Sequence, residues 1–246
     1  MINTIGTYLR QRFSGWVYGV LTLYLILFSI PEFYTEMISR YFSLFPALFL
    51  LLLSFRVIDD LLSIKKDKGR GRIYTETGAK FPLIVFACSS FLLAAFLFHF
   101  TGLSNFVFLI LFAGVCMIPY LLFYPFKKWR FLAALVKYPA FVGGLILLFQ
   151  ESAGNFLIAS MVSIFFAFIS FELLEDQLLE KQRPWILFFI PLITGVYIFD
   201  MGIIGWVAGV LMGAVIAFLF WKKNIKMAPY LILLYALCIK FLVYEF

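Results

Sequence analysis

Charge is what this sequence lacks. Asp, Glu, Lys and Arg make up 13% of its 246 residues, where soluble domains carry about 25%. Hydrophobic residues fill 64% of the chain and aromatic ones 21%, and the mean hydropathy is +1.03. No aqueous core absorbs that much apolar surface, so the scarcity of charge excludes a soluble domain and makes the bilayer the solvent. Histidine is nearly absent. The single one, His99, closes an apolar run, which suits a membrane interface better than a metal site built from about four ligands. Cysteine is scarce and odd in number. Cys88, Cys116 and Cys238 lie inside apolar runs without metal-ligand spacing, and they read as small core residues. No small-residue cleavage site follows the first apolar run, which argues against a cleavable signal peptide. Internal repeats and low-complexity linkers are missing as well. The connections between apolar runs are short, so residues 1–246 read as one membrane domain with no extramembrane module.

What is present is a series of apolar runs. A helical span takes about 20 such residues. Runs of this kind occupy 15–31, 42–64, 80–100, 104–124, 131–150, 155–175, 184–199, 202–221 and 228–245. They predict an all-α, polytopic membrane helix bundle of nine spans. The net charge of +7 is not a nucleic-acid signal, because the cations cluster between the runs, where they set topology and meet lipid headgroups or anionic substrates. Arg10 and Arg12 precede the first run. Lys65, Lys66, Lys68, Arg70 and Arg72 follow the second, Lys127, Lys128 and Arg130 the fourth, Lys181 and Arg183 the sixth, and Lys222, Lys223 and Lys226 the eighth. The alternate connections carry Arg40 or no cation at all. This alternation places the N-terminus in the cytosol and the C-terminus outside.

Ionisable residues at a membrane segment are costly, at least about 2.5 kcal/mol each at the centre of a span, and so point to function. Two acidic clusters lie at cytosolic ends of predicted helices. Asp59, Asp60 and Asp67 close the second run; Glu172, Glu175 and Asp176 close the sixth. If a helix continues through "LLSIKK", the intervals of eight and seven residues put Asp59, Asp60 and Asp67 on one face. Glu172, Glu175 and Asp176 share a face at intervals of three and four. Two such faces could jointly hold Mg²⁺, which takes carboxylate oxygens together with substrate phosphates. The cations of "KKDKGRGR" would then meet those phosphates. The plainer reading is a solvated helix end with weak surface pairs, in which Arg56 pairs with Asp59 or Asp60.

The order and placement of these motifs resemble the UbiA superfamily of intramembrane prenyltransferases. The resemblance rests on "YLRQRFSG" from Tyr8, "FRVIDDLLSIKKD" from Phe55, "RIYTETG" from Arg72, "KYP" at Lys137 and "FELLED" from Phe171. It implies nine transmembrane helices around a central cavity, with both acidic motifs facing the cytosol. It also implies a Mg²⁺-dependent transfer of a prenyl group from a prenyl diphosphate to a small or lipid-soluble acceptor. Asp59, Asp67, Glu172 and Asp176 would take the metal-ligand positions, and Asp60 would join them as a catalytic residue. Arg56, Lys66, Arg70, Arg72 and Lys137 would face the diphosphate. Ser63 stands where the family has its middle aspartate, Arg56 where it has an asparagine, and Ile73 where it has a proline.

The partners implied are a prenyl diphosphate, an acceptor that the sequence does not identify, and membrane lipids. The location implied is a bacterial inner membrane. Two rival readings remain. A non-catalytic lipid-binding subunit on the same fold suits the substitutions at Ser63 and Arg56. A small-solute transporter suits Pro119, Pro139 and Pro191 in or near the runs, but its acids would be expected near the midplane rather than at one face.

Overall fold

The computed structural model describes residues 2–30, 35–69, 71–100, 130–149, 154–175, 186–222 and 224–244. Among them the regular structure is helical throughout, with no strand. Helices occur at every predicted apolar run that the described residues reach, and the run 104–124 lies outside them. In chain order they are α1 (Ile2–Arg12), α2 (Gly15–Ser29), α3 (Thr35–Ser43), α4 (Phe45–Leu62), α5 (Ile64–Asp67), α6 (Lys80–Phe100), α7 (Arg130–Phe149), α8 (Gly154–Glu175), α9 (Ile186–Leu192), α10 (Gly202–Trp221) and α11 (Ala228–Tyr244).

Their capacity to cross a bilayer differs. Thr77–His99 and Gly202–Trp221 are long and apolar enough to span by themselves. The pair Asn3–Arg12 and Gly15–Ser29, bent by 64°, would count as one broken span. Leu135–Leu147, Gly154–Ser170, Leu187–Ile198 and Ala228–Val243 are shorter apolar helices. Local chemistry accounts for part of the difference from nine full spans. Helix α4 has 18 residues but carries Arg56, Asp59 and Asp60.

The chain forms two compact units, Met1–Ile26 with Thr35–Leu111, and Leu27–Tyr34 with Phe112–Phe246. In the first unit α4 packs along α6, and Ser54 Oγ donates to the Ala87 carbonyl at 3.0 Å. Its core gathers Tyr8, Phe13, Leu53, Val57, Tyr74, Ala79, Leu83 and Ala87. Phe13 stands at the break between α1 and α2. It stacks on Tyr18 at 4.0 Å and meets Phe49 edge-on at 5.4 Å. This buried ring fixes the bend, and α1 thereby lies back against α6 and the turn at Ile73–Thr75.

In the second unit α7 pairs with α8, and Tyr138 stacks on Phe168 with ring centroids 3.8 Å apart. Pro191 removes a backbone donor inside α9, and the helix runs on as a wider π-turn over Ile193–Ile198. That segment lies against α10 with glycine facing glycine. A Cβ on Gly205 would come 2.5 Å from the Gly195 carbonyl oxygen. Lys240 of α11 is fully buried. Its ammonium donates to the carbonyls of Leu27, at 3.3 Å, and Ile30. These lie at the C-terminal end of α2, where helix carbonyls lack intrahelical partners and cations are favoured.

Candidate functional site

The first acidic motif is built at a helix that stops and turns. Helix α4 pauses at Ser63, whose N–H bonds the carbonyls of Asp59 and Asp60 at 3.1 and 3.2 Å. The single continuous helix expected through "LLSIKK" is therefore two helices. The short α5 carries the chain one turn further to Asp67. Gly69 and Gly71 then adopt φ of +92° and +66°, left-handed conformations that glycine reaches without steric cost. The chain folds back, and Arg72 and Tyr74 return to Asp67.

Asp60 is buried and fully engaged. Its Oδ2 accepts from Tyr8 Oη at 3.0 Å and from Arg12 Nε at 3.0 Å. Its Oδ1 accepts from Arg12 Nη2 at 2.7 Å and faces Arg56 Nη2 at 3.4 Å. The Arg12 fork is the bidentate arrangement that guanidinium makes with carboxylate. Asp67 is buried as well. Its Oδ2 accepts from Tyr74 Oη at 2.5 Å, faces Arg72 Nη1 at 3.0 Å, and lies 3.0 Å from Ser63 Oγ. Arg72 Nη1 also donates to Tyr74 Oη at 2.8 Å.

The two carboxylates share one network. Arg12 stands 5.6 Å from the centroid of the Tyr74 ring, and Tyr8 meets Tyr74 edge-on at 6.5 Å. Gln11 Oε1 accepts from the Ile73 N–H at 3.1 Å. Burial, and then the bond to Asp67, push the Tyr74 hydroxyl above its ordinary pKa. Both phenols serve as donors, Tyr8 to Asp60 and Tyr74 to Asp67.

Of the residues expected at the site, Arg56, Asp60, Asp67 and Arg72 come together in the first unit. Asp59 is half-buried beside them, within electrostatic reach of Arg56. Arg70 and Asp176 lie outside the described residues. Lys66 and Glu172 lie in helices, but their side chains are outside what is described. Lys137 belongs to the second unit, where it is buried and its ammonium stands 5.3 Å from the centroid of the Tyr138 ring.

Three members of the network, Tyr8, Arg12 and Tyr74, were not among the expected site residues. The spacing of Tyr8 and Arg12, four apart and so on one helical face, was the available signal. It did not say what that face would meet.

The donor set bears on the implied magnesium ion. A carboxylate offers about four acceptor positions. Those of Asp60 are taken by Tyr8, by two nitrogens of Arg12 and by Arg56. Oxygens already directed at N–H and O–H donors have little left for a hard cation that needs them as ligands. Among the described residues no group of three or more His, Cys, Asp or Glu side chains is placed to hold a metal. The described part of the motif thus forms an arginine cluster around Asp60 and Asp67, while of the four expected metal ligands the Glu172 side chain and Asp176 lie outside what is described.

Tyr74→Phe tests the network locally. It removes one donor to Asp67 and one acceptor for Arg72, and a buried group left without its partner costs about 1–3 kcal/mol. A clear drop in the unfolding temperature in detergent is expected. Tyr197→Phe, at an exposed phenol, is expected to leave it unchanged.

Compared with known proteins, the chain matches no family model, no curated protein and no solved structure.

Proposed function

We propose that this chain is a multi-pass membrane prenyltransferase with nine spans and a cytosolic N-terminus. It would take a prenyl diphosphate at the cytosolic ends of its helices and pass the prenyl group to a small or lipid-soluble acceptor. The observation that carries this reading is the convergence of Arg12, Arg56 and Arg72 on two buried carboxylates at the end of an apolar helix. A prenyl diphosphate needs cations for its head and an apolar bed for its tail, and this placement offers both.

The chemistry follows from charge. The allylic carbon–oxygen bond breaks, and its electron pair leaves with the diphosphate. The acceptor's nucleophilic atom captures the carbocation and gives up a proton. Guanidinium groups would stabilise the charge gathering on the leaving group. Mg²⁺ is what the family resemblance implies beside them.

A second reading, a lipid-binding subunit without catalysis, is favoured by the full engagement of Asp60 and by Ser63 in place of an acid.

The deciding experiment uses purified protein in lipid nanodiscs with radiolabelled prenyl diphosphates of graded length. Candidate acceptors include a quinone-ring precursor, a sugar phosphate and a porphyrin. Transfer of label to an acceptor is the expected result. Saturable binding without transfer would favour the lipid-binding subunit, and absence of both would exclude both readings.

A further inference from the structure

We infer that Asp60 and Asp67 are fixed internal counter-ions that hold Arg12, Arg56 and Arg72 as a receptor for a phosphate or diphosphate head, captured without a divalent metal. The inference rests on the reading that the substrate is a prenyl diphosphate.

Arg56 is the first support. It approaches Asp60 at 3.4 Å, long for an ion pair of this type. Its Nε is buried and has no hydrogen-bond partner among the described residues. A buried donor left in this state is costly. An anionic oxygen arriving beside it would satisfy that donor.

The carboxylates supply the second support. Asp60 grips Arg12 through both oxygens, and Asp67 is bound by Arg72, Tyr74 and Ser63. These contacts fix the orientation of guanidinium planes, whose forked donors match phosphate oxygens. They also occupy both oxygens of Asp60 and Oδ2 of Asp67, which leaves Asp60 poorly suited to bind a metal. Tyr8 and Tyr74 donate their hydroxyls to Asp60 and Asp67 and, as phenols, add no competing negative charge near neutrality.

The test measures binding of a non-ionising prenyl thiodiphosphate to the full chain in nanodiscs, once with excess EDTA and once with Mg²⁺. Inorganic pyrophosphate serves as competitor. The two buffers are expected to give affinities within about threefold of each other. Arg56→Gln is expected to weaken binding by about ten- to a hundredfold in both, the effect of losing one charge-assisted contact. Arg56→Lys keeps a cation beside Asp60, and so guards against simple misfolding. It is expected to bind between the wild type and Arg56→Gln, because an ammonium lacks the fork.

Competition by pyrophosphate would show that the head alone is recognised; its failure to compete would show that the lipid-linked head is required. Binding only in Mg²⁺, or an unchanged affinity in Arg56→Gln, would overturn the inference and leave the substrate reading standing. Absence of binding in both buffers would overturn the substrate reading and the inference with it.

Discussion

Asp60→Ala is expected to be among the most destabilising single substitutions in the chain. The carboxylate is buried, and it faces two guanidinium groups and a phenol. Its removal takes away the carboxylate that Arg12 and Arg56 share. Breaking a buried ion pair from one side costs about 3–5 kcal/mol. Here the lower part of that range applies, because the Arg12 and Arg56 side chains keep 16% and 26% of their surface exposed and water partly screens them. Unfolding in a mild detergent, followed at one scan rate, would show the loss. Asp59→Ala, at a half-buried position, is expected to cost less. A double-mutant cycle makes the expectation sharper. Arg12→Ala combined with Asp60→Ala should cost clearly less than the two single changes added together, because the partners are in contact. Strict additivity would mean that the fork between them contributes nothing.

Lys240→Glu, in the second unit, is expected to have an effect of the same order. The Lys240 ammonium is held by the carbonyls of Leu27 and Ile30 and lies 3.9 Å from the centroid of the Phe241 ring. Each of these is the negative end of a dipole or quadrupole. A carboxylate in the same position would meet them all with the wrong sign, and its burial would have no compensation. Loss of folded protein in membranes is the expected outcome. Lys240→Met separates two opposed terms. It relieves the cost of burying a charge, but it leaves two carbonyls without a donor, at about 1–3 kcal/mol for each. If the carbonyls dominate, as expected where little water can replace the donor, Lys240→Met lowers the unfolding temperature. A rise would mean that the burial cost of the ammonium dominates.

Much of the architecture was legible because it is local. Helices begin and end where apolar runs do, and eight of the nine predicted runs can be compared with described helices. The acids and cations at the end of α4 were visible as charges that an apolar run would not carry without reason. Their roles were not legible. Spacing placed Asp59, Asp60 and Asp67 on one face of one helix, but that helix pauses at Ser63, and two glycines then reverse the chain.

The sequence alone determined the apolar character, the helical class and the positions of the charges at the ends of apolar runs, since these follow from composition and from short-range periodicity. Only the tertiary structure decided which charges meet. Asp60 finds Arg12 from 48 residues away and Tyr8 from 52. Lys240 reaches the carbonyl of Ile30 from 210 residues away. No periodicity encodes such distant pairings. They arise when packing brings buried donors and acceptors together, because an unpaired polar group in an apolar interior costs more than the ordering needed to pair it.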